Sequence, residues 1–333
     1  MEACNHTSRG SSQPVPVTVI GGYLGAGKTT LINRLLQGNR GFRIAVLVND
    51  FGEINIDASL IARHDGQTLE LTNGCVCCSI GDDLGGALAT VSATMPRPDY
   101  IVIEASGVAD PSRVANYTYG QPGLKLDGII VLADSETVES RATDRFVGTT
   151  VRRQLASADI LVLTKTDLVA VDQIRKTEKW LQKVIPGVPL IRNDDCGIGW
   201  DVLFGLGKPL KGFDADHATQ EPHNQLFATA TWQEDALLDR DRLVKGLRSF
   251  DNALLRCKGW VRFADNPGTS VLIQLVGNRL ELTDDMSERM GSQHALSFIY
   301  LRDRVSAQNL LDMVSACKVV GSSQTISASL DAI

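Results

Sequence analysis

The chain has 333 residues, of which 43% are hydrophobic and 22% charged, and a net charge of −6 at neutral pH. That length admits two domains and a sizeable core, and the acidic balance argues against a nucleic-acid or anionic-membrane partner. No apolar run nears the ~20 residues a membrane-spanning helix needs, and the polar start MEACNHTSRGSSQPVPV lacks the apolar core of a secretory leader; no membrane partner and a cytoplasmic location are expected.

Residues 1–14 read as a disordered tail. VPVTVIGGYL is a β-branched run ending in glycines, the pattern of a buried strand entering a loop. KTTLINRLLQ has helical spacing. FRIAVLVND, DYIVIEASG, LDGIIVLAD and ADILVLTKTD are four further apolar runs with polar or glycine ends, and helical patterns such as VDQIRKTEKWLQKVI lie between several of them. Such alternation predicts an α/β domain over 15–212, a P-loop NTPase fold with a mostly parallel sheet covered on both faces and ligands at the carboxyl ends of the strands. GFDADHATQEPHNQ is polar and aperiodic and reads as a linker, 213–225. Beyond it, QLFATATW, ALLRCKGWVRF, TSVLIQLVGNRLELT and ALSFIYLR read as strands, and DRDRLVKGLRSF and RVSAQNLLDMVSACK as helices. A smaller α+β domain is expected over 226–318, followed by a flexible tail, 319–333.

GYLGAGKT, Gly22 to Thr29, fits G-x-x-x-x-G-K-[ST] between a predicted strand and helix. The backbone of Gly22, Gly25, Ala26, Gly27, Lys28, Thr29 and Thr30 would cradle phosphate oxygens at a helix N-terminus. Lys28 would reach the β- and γ-phosphates, and Thr29 would offer its hydroxyl to Mg²⁺. In IVIEASGVADP, Glu104 stands where nucleotide hydrolases carry an acidic residue at a strand end, ready to hold a Mg²⁺-bound water, and the Gly107 N–H would touch the γ-phosphate. VNDFGEINID supplies the carboxylates Asp50, Glu53 and Asp57 on a second loop. LVLTKTD resembles the guanine-reading N-K-x-D with Thr164 in place of Asn. Asp167 would accept from the guanine N1–H and 2-amino group, and Lys165 would lay its stem along the base.

LTNGCVCCSIGDDL places Cys75, Cys77 and Cys78 within four positions, while the other four of the seven cysteines are scattered. Thiolates are soft ligands suited to Zn²⁺, Co²⁺ or Cu⁺, and three of them leave one tetrahedral position open. A strained disulfide and plain core packing are the alternative uses of three close thiols.

In order, GGYLGAGKTTLINRLL, VNDFGEINID, LTNGCVCCSIGDDL, VIEASGVADP and LTKTDL resemble the CobW-type GTPases, which include cobalamin-synthesis accessory proteins, nitrile hydratase activators and zinc-transfer chaperones. The likeness extends through LLRCKGWVRF and VLIQLVG, so it covers about 15–318. It implies a GTPase that binds GTP, Mg²⁺ and Zn²⁺ or Co²⁺ and passes the transition ion to a client metalloprotein through the C-terminal domain; there Trp232, Arg256, Lys258, Gly259, Trp260 and Arg262 read either as a basic and aromatic docking patch or as core tryptophans beside solvated charges. Cys75, Cys77 and Cys78 would hold the ion with Glu53 as fourth ligand and His64 as a second choice. Lys28, Asp50 and Glu104 would be catalytic, with Asp50 orienting water. No arginine is marked as a charge-supplying finger, so slow intrinsic turnover is expected, accelerated by a partner. The chain departs from the family at Asp50 (usually Glu), at Ser106 (commonly Thr), at Thr164 (usually Asn), and between the domains, where only His217 and His223 stand in place of a histidine-rich run. Two other classes compete: a metal sensor or store whose affinity the nucleotide sets, and a P-loop kinase, which leaves CVCC unexplained.

Overall fold

The computed structural model describes residues 14–37, 43–48, 68–70, 82–193, 227–285 and 294–319. They fall into two compact units, divided near Gln225, and each is taken by itself.

The first unit alternates strands and helices: β1 (Val15–Gly22), α1 (Lys28–Gln37), β2 (Ile44–Val48), β3 (Thr68–Glu70), α2 (Asp82–Ala93), β4 (Tyr100–Glu104), α3 (Pro111–Tyr119), β5 (Leu124–Asp134), α4 (Val138–Thr143), α5 (Gly148–Ala156), β6 (Ile160–Thr164), α6 (Val171–Val184) and β7 (Leu190–Arg192). The described strands form one sheet in the order β3-β2-β4-β1-β5-β6-β7, with parallel neighbours throughout. Its central strands are β-branched runs: Val17, Val19 and Ile20 of β1 and Ile101, Val102 and Ile103 of β4 are all buried. That is what a sheet covered on both faces demands.

The chain runs outward from β1 to β2 and β3, returns to β4 beside β1, then crosses to β5 on the opposite flank. The reversal leaves a crevice at the carboxyl end of β1, the place where open α/β sheets bind ligands. Register puts the polar strand ends on that one edge: Ile20 pairs with Glu104, Gly22 with Leu132, and Asp134 with Thr164.

The second unit comprises β8 (Phe227–Gln233), β9 (Leu237–Leu238), α7 (Arg240–Ser249), β10 (Leu254–Phe263), β11 (Asn266–Val276), β12 (Arg279–Asp285), β13 (Ala295–Leu301) and α8 (Ala307–Ala316). Its sheet order is β12-β11-β10-β13-β8, with β13 antiparallel to both β10 and β8 and the short β9 parallel to β10. Leu243 and Leu247 of α7 and Leu310 and Val314 of α8 pack with Trp232, Phe263 and Phe298. Both helices start on side-chain caps, Asp239 accepting from Arg242 N at 2.9 Å and Ser306 forming a reciprocal box with Asn309.

Two expectations are corrected here. TSVLIQLVGNRLELT is two strands, because Gly277 adopts φ +54° and breaks the run between β11 and β12. The expected docking patch is not continuous: Trp232 is a core residue and Arg256 is buried, so neither contributes to a surface. The linker 213–225 lies outside the described residues, as do residues 1–13 and 320–333 of the two tails.

Candidate functional site: a phosphate loop and its neighbours

Between β1 and α1 the backbone turns at Gly25 (φ +78°) and Gly27 (φ +92°), conformations that L side chains rarely adopt. Ala26 N donates to Tyr23 O at 3.0 Å and closes the turn, and Lys28 opens the helix. The N–H groups at the start of α1 have no carbonyl one turn earlier in the helix, and with the helix dipole they make this end a site for anions. Lys28 is buried and its Nζ donates to Gly22 O at 3.1 Å, so the ammonium lies folded along the loop. Thr30, in the first turn of α1, is exposed.

Thr29 Oγ1 donates to Glu104 Oε1 at 2.9 Å. The pair links residues 75 positions apart, and Glu104 is only 2% exposed. Hydroxyl and carboxylate oxygens are hard donors of the kind Mg²⁺ prefers, so the residues present fit that ion.

After Glu104 the chain runs close under the phosphate loop. A Cβ on Gly107 would lie 2.5 Å from Leu24 Cδ2 and 3.0 Å from Leu24 Cα, so only glycine lets the two loops approach this closely. Ala105 N donates to Ile20 O and Ala109 N to Ser106 O, both at 2.9 Å. The loop ends on a designed stop: Asp110 caps α3 through Ser112 N at 3.0 Å, with Pro111 following it.

Sequence reasoning missed the residue that secures this loop. Gln154 of α5 is buried, and its Nε2 donates to Gly107 O at 3.0 Å and Ala109 O at 2.8 Å. The signal was present as an amide on the apolar face of a helix, beside Val151 and Leu155. Arg141 of α4 was also missed; its guanidinium sits 5.0 Å above the Tyr23 ring. Tyr23, Leu24, Ala26, Asp134, Arg141 and Gln154 are among the residues lining a small cavity beside the phosphate loop.

At the β6 end, Thr164 Oγ1 donates to Ala26 O at 2.9 Å, tying this strand to the phosphate loop. Lys165 adopts φ +56°, its Nζ pairs with Asp134 Oδ2 at 2.7 Å, and its carbonyl accepts from Ser135 Oγ at 2.8 Å. Asp167 follows in a short 3-10 turn and is exposed. Thus the structure brings Gly22–Thr29, Glu104, Gly107, Thr164 and Lys165 to one edge. Asp50, Glu53, Asp57, His64, Cys75, Cys77 and Cys78 lie outside the described residues. Among the described residues no group of three or more His, Cys, Asp or Glu side chains is placed to hold a metal ion, and Cys257 and Cys317 are separate buried thiols.

A glycine-bent loop on a helix N-terminus, with a lysine folded into it and a hydroxyl–carboxylate pair beside it, defines a P-loop nucleotide-binding domain. The chain belongs to the CobW/HypB/UreG family: its nucleotide-binding domain matches residues 16–192, and the cobalamin synthesis protein cobW C-terminal domain matches 227–317. Among its relatives, the zinc chaperone CobW of Sinorhizobium sp is 28% identical, over 89% of this chain and 94% of its own. The zinc chaperone YjiA of Escherichia coli is 34% identical over 57% of this chain and 61% of its own. The zinc-regulated GTPase metalloprotein activator 1 of Dictyostelium discoideum is 29% identical over 63% and 51%, so this chain spans about half of that relative. The crystal structure of Zn(II)-bound YjiA GTPase from E. coli aligns with a TM-score of 0.42 at 25% identity, covering 92% of this chain and all of that one.

Proposed function

We propose that the protein is a GTP-hydrolysing metallochaperone that loads a transition ion at Cys75, Cys77 and Cys78, with Glu53 as fourth ligand, and releases it to a client metalloprotein. The family and the relatives named for zinc and for GTPase activity support GTP hydrolysis and a metal cargo. Zinc is the first choice of cargo and cobalt the second.

The observation that carries the coupling of nucleotide to metal is the position of β3. The segment 71–81 leaves the carboxyl end of β3 at Glu70 and re-enters the fold at Asp82. Register sets Glu70 level with Val46 and Val102, so Glu104 is two strands across and two residues further along, about 12 Å away. Cys75 is five residues past Glu70, a tether of at most ~18 Å. A tether of that length spans the distance to Glu104, which supports a thiol site coupled to the phosphate edge.

Lys28 would leave Gly22 O for the β- and γ-phosphates, placing positive charge where the transferred group gains negative charge. Thr29 and Glu104 would hold Mg²⁺, which when bound neutralises charge on the phosphate oxygens. Asp50 would orient the attacking water. Gly107 N–H, in the loop that Gln154 secures, would report whether a third phosphate is present.

Metal content decides the proposal. The protein is dialysed with Mg²⁺ and either a non-hydrolysable GTP analogue or GDP, with Cys77→Ala alongside. About one zinc per chain is expected with the analogue, less with GDP and none in the variant. Equal retention in all three samples would refute the reading.

A further inference from the structure

Thr164 closes β6 and is 4% exposed. Its hydroxyl oxygen lies 2.9 Å from Ala26 O and 3.4 Å from Ala133 O. A hydroxyl carries one proton. Two carbonyls compete for it and the nearer one, in the phosphate loop, takes it. What remains on Oγ1 is acceptor capacity. An asparagine amide at this position would carry two protons, one for the loop and one to spare.

Guanine presents N7 and O6 on its Hoogsteen edge, and both are acceptors. Acceptor facing acceptor makes no hydrogen bond. Lys165 Nζ is engaged with Asp134 at 2.7 Å, so the stem of Lys165 is fixed by an ion pair. Asp167 is exposed and acceptor-only when ionised, which suits the opposite edge of guanine, where N1–H and the 2-amino group are donors.

We infer that residue 164 serves the phosphate loop and not the base, so that among the described side chains Asp167 reads guanine and N7 is left unread. The inference rests on the proposed placement of a GTP base at the end of β6. Its consequence is a tolerance: a guanosine triphosphate with carbon in place of N7 binds as well as GTP. Thr164 is then a positioning residue, whose loss weakens every nucleotide that needs the loop.

The test is displacement of a ribose-labelled fluorescent GTP from the full chain, with Mg²⁺ present, by GTP, 7-deaza-GTP and ATP. 7-Deaza-GTP is expected within about twofold of GTP, and ATP weaker by about tenfold or more. Thr164→Asn supplies the spare donor and is expected to make GTP ~3–10-fold tighter than 7-deaza-GTP. Thr164→Val is expected to weaken GTP and 7-deaza-GTP by the same factor, and Thr164→Ser to restore both. If the unmodified protein binds 7-deaza-GTP more than about fivefold more weakly than GTP while still excluding ATP, the inference falls and the base placement stands. If ATP binds as tightly as GTP, the base placement itself falls and takes the inference with it. Should Thr164→Asn fail to fold, the unmodified protein's ratio still decides.

Discussion

Replacing Gln154 by Leu tests whether α5 holds the loop that follows Glu104. Leucine fills nearly the same space, so the perturbation is the loss of one amide. The bond to Gly107 O is buried and that to Ala109 O partly so. A buried carbonyl left without its donor costs ~1–3 kcal/mol, and a part-buried one that water can reach ~0.5–1 kcal/mol. Against this stands a relief: Gln154 Oε1 is buried and accepts no hydrogen bond among the described residues, and removing such an atom returns ~1 kcal/mol. The net cost is about 0.5–3 kcal/mol, concentrated in residues 105–110. The assay is native-state hydrogen exchange. The amides of Ala105 and Ala109, bonded at 2.9 Å to Ile20 O and Ser106 O, are the reporters. Their exchange is expected to accelerate ~2–150-fold while amides in β5 hold. Unchanged exchange at both reporters would show that Gln154 only fills space. Acceleration spread evenly over the sheet would show a global loss of stability and refute the local role.

The remaining predictions concern charge, close approach and buried thiols. Lys28→Ala is expected to lower single-turnover GTP hydrolysis by ~10²–10³-fold, the usual cost of removing a donor to developing charge; a change under about threefold would refute its role. Thr29→Val removes the hydroxyl that meets Glu104 at 2.9 Å, and should weaken GTP in Mg²⁺ but not in EDTA, measured by displacement in each. Gly107→Ala drives a methyl into Leu24; it should weaken GTP binding, and Leu24→Ala should rescue it only in part, because Leu24 Cα itself lies 3.0 Å from that position. Burial pushes the Cys257 thiol far above its ordinary range. A raised folded value means that stability is fully present below the unfolded thiol's titration, near pH 8.5, and declines above it. Urea unfolding between about pH 8 and pH 10 should lose up to ~1.4 kcal/mol per pH unit from this group, and Cys257→Ala should remove that part of the slope.

The phosphate loop was legible because its chemistry is local: eight consecutive residues both bend the backbone and supply the ligands, so spacing alone identifies them. The strands of the first unit were legible for a similar reason, since full burial writes a continuous apolar run. The rest of the edge is made by pairs far apart in the chain. Thr29 meets Glu104 across 75 positions, Thr164 meets Ala26 across 138, and Gln154 meets Gly107 across 47. Each half of such a pair looks ordinary alone. Gln154 shows the limit well, because only its place on an apolar helix face was odd, and its partners are backbone carbonyls that no side-chain pattern can reveal. Likewise β11 and β12 read as one strand because Gly277 is a single residue inside a long apolar run, and its turn depends on φ, not on polarity.

The hydrogen-bond chemistry at Thr164 also bears on how nucleotide state could govern the rest of the edge. Ala26 O is tied to β6, Lys28 Nζ to Gly22 O, and Thr29 Oγ1 to Glu104, so the phosphate loop is fastened at three points. The first fastening uses a proton that a guanine base does not need and is free to survive binding. The other two use the ammonium and hydroxyl that phosphate and Mg²⁺ would claim, and would be exchanged. On the proposed reading, binding would leave the base side of the loop fixed and remodel the side facing Glu104 and Gly107. That is the side on which β4 and β2 lead to β3, whose carboxyl end carries the cysteine segment. A transition ion favouring one arrangement of this side must alter GTP affinity by the same factor by which GTP alters affinity for the ion, whereas contacts on the β6 side should be indifferent to the metal.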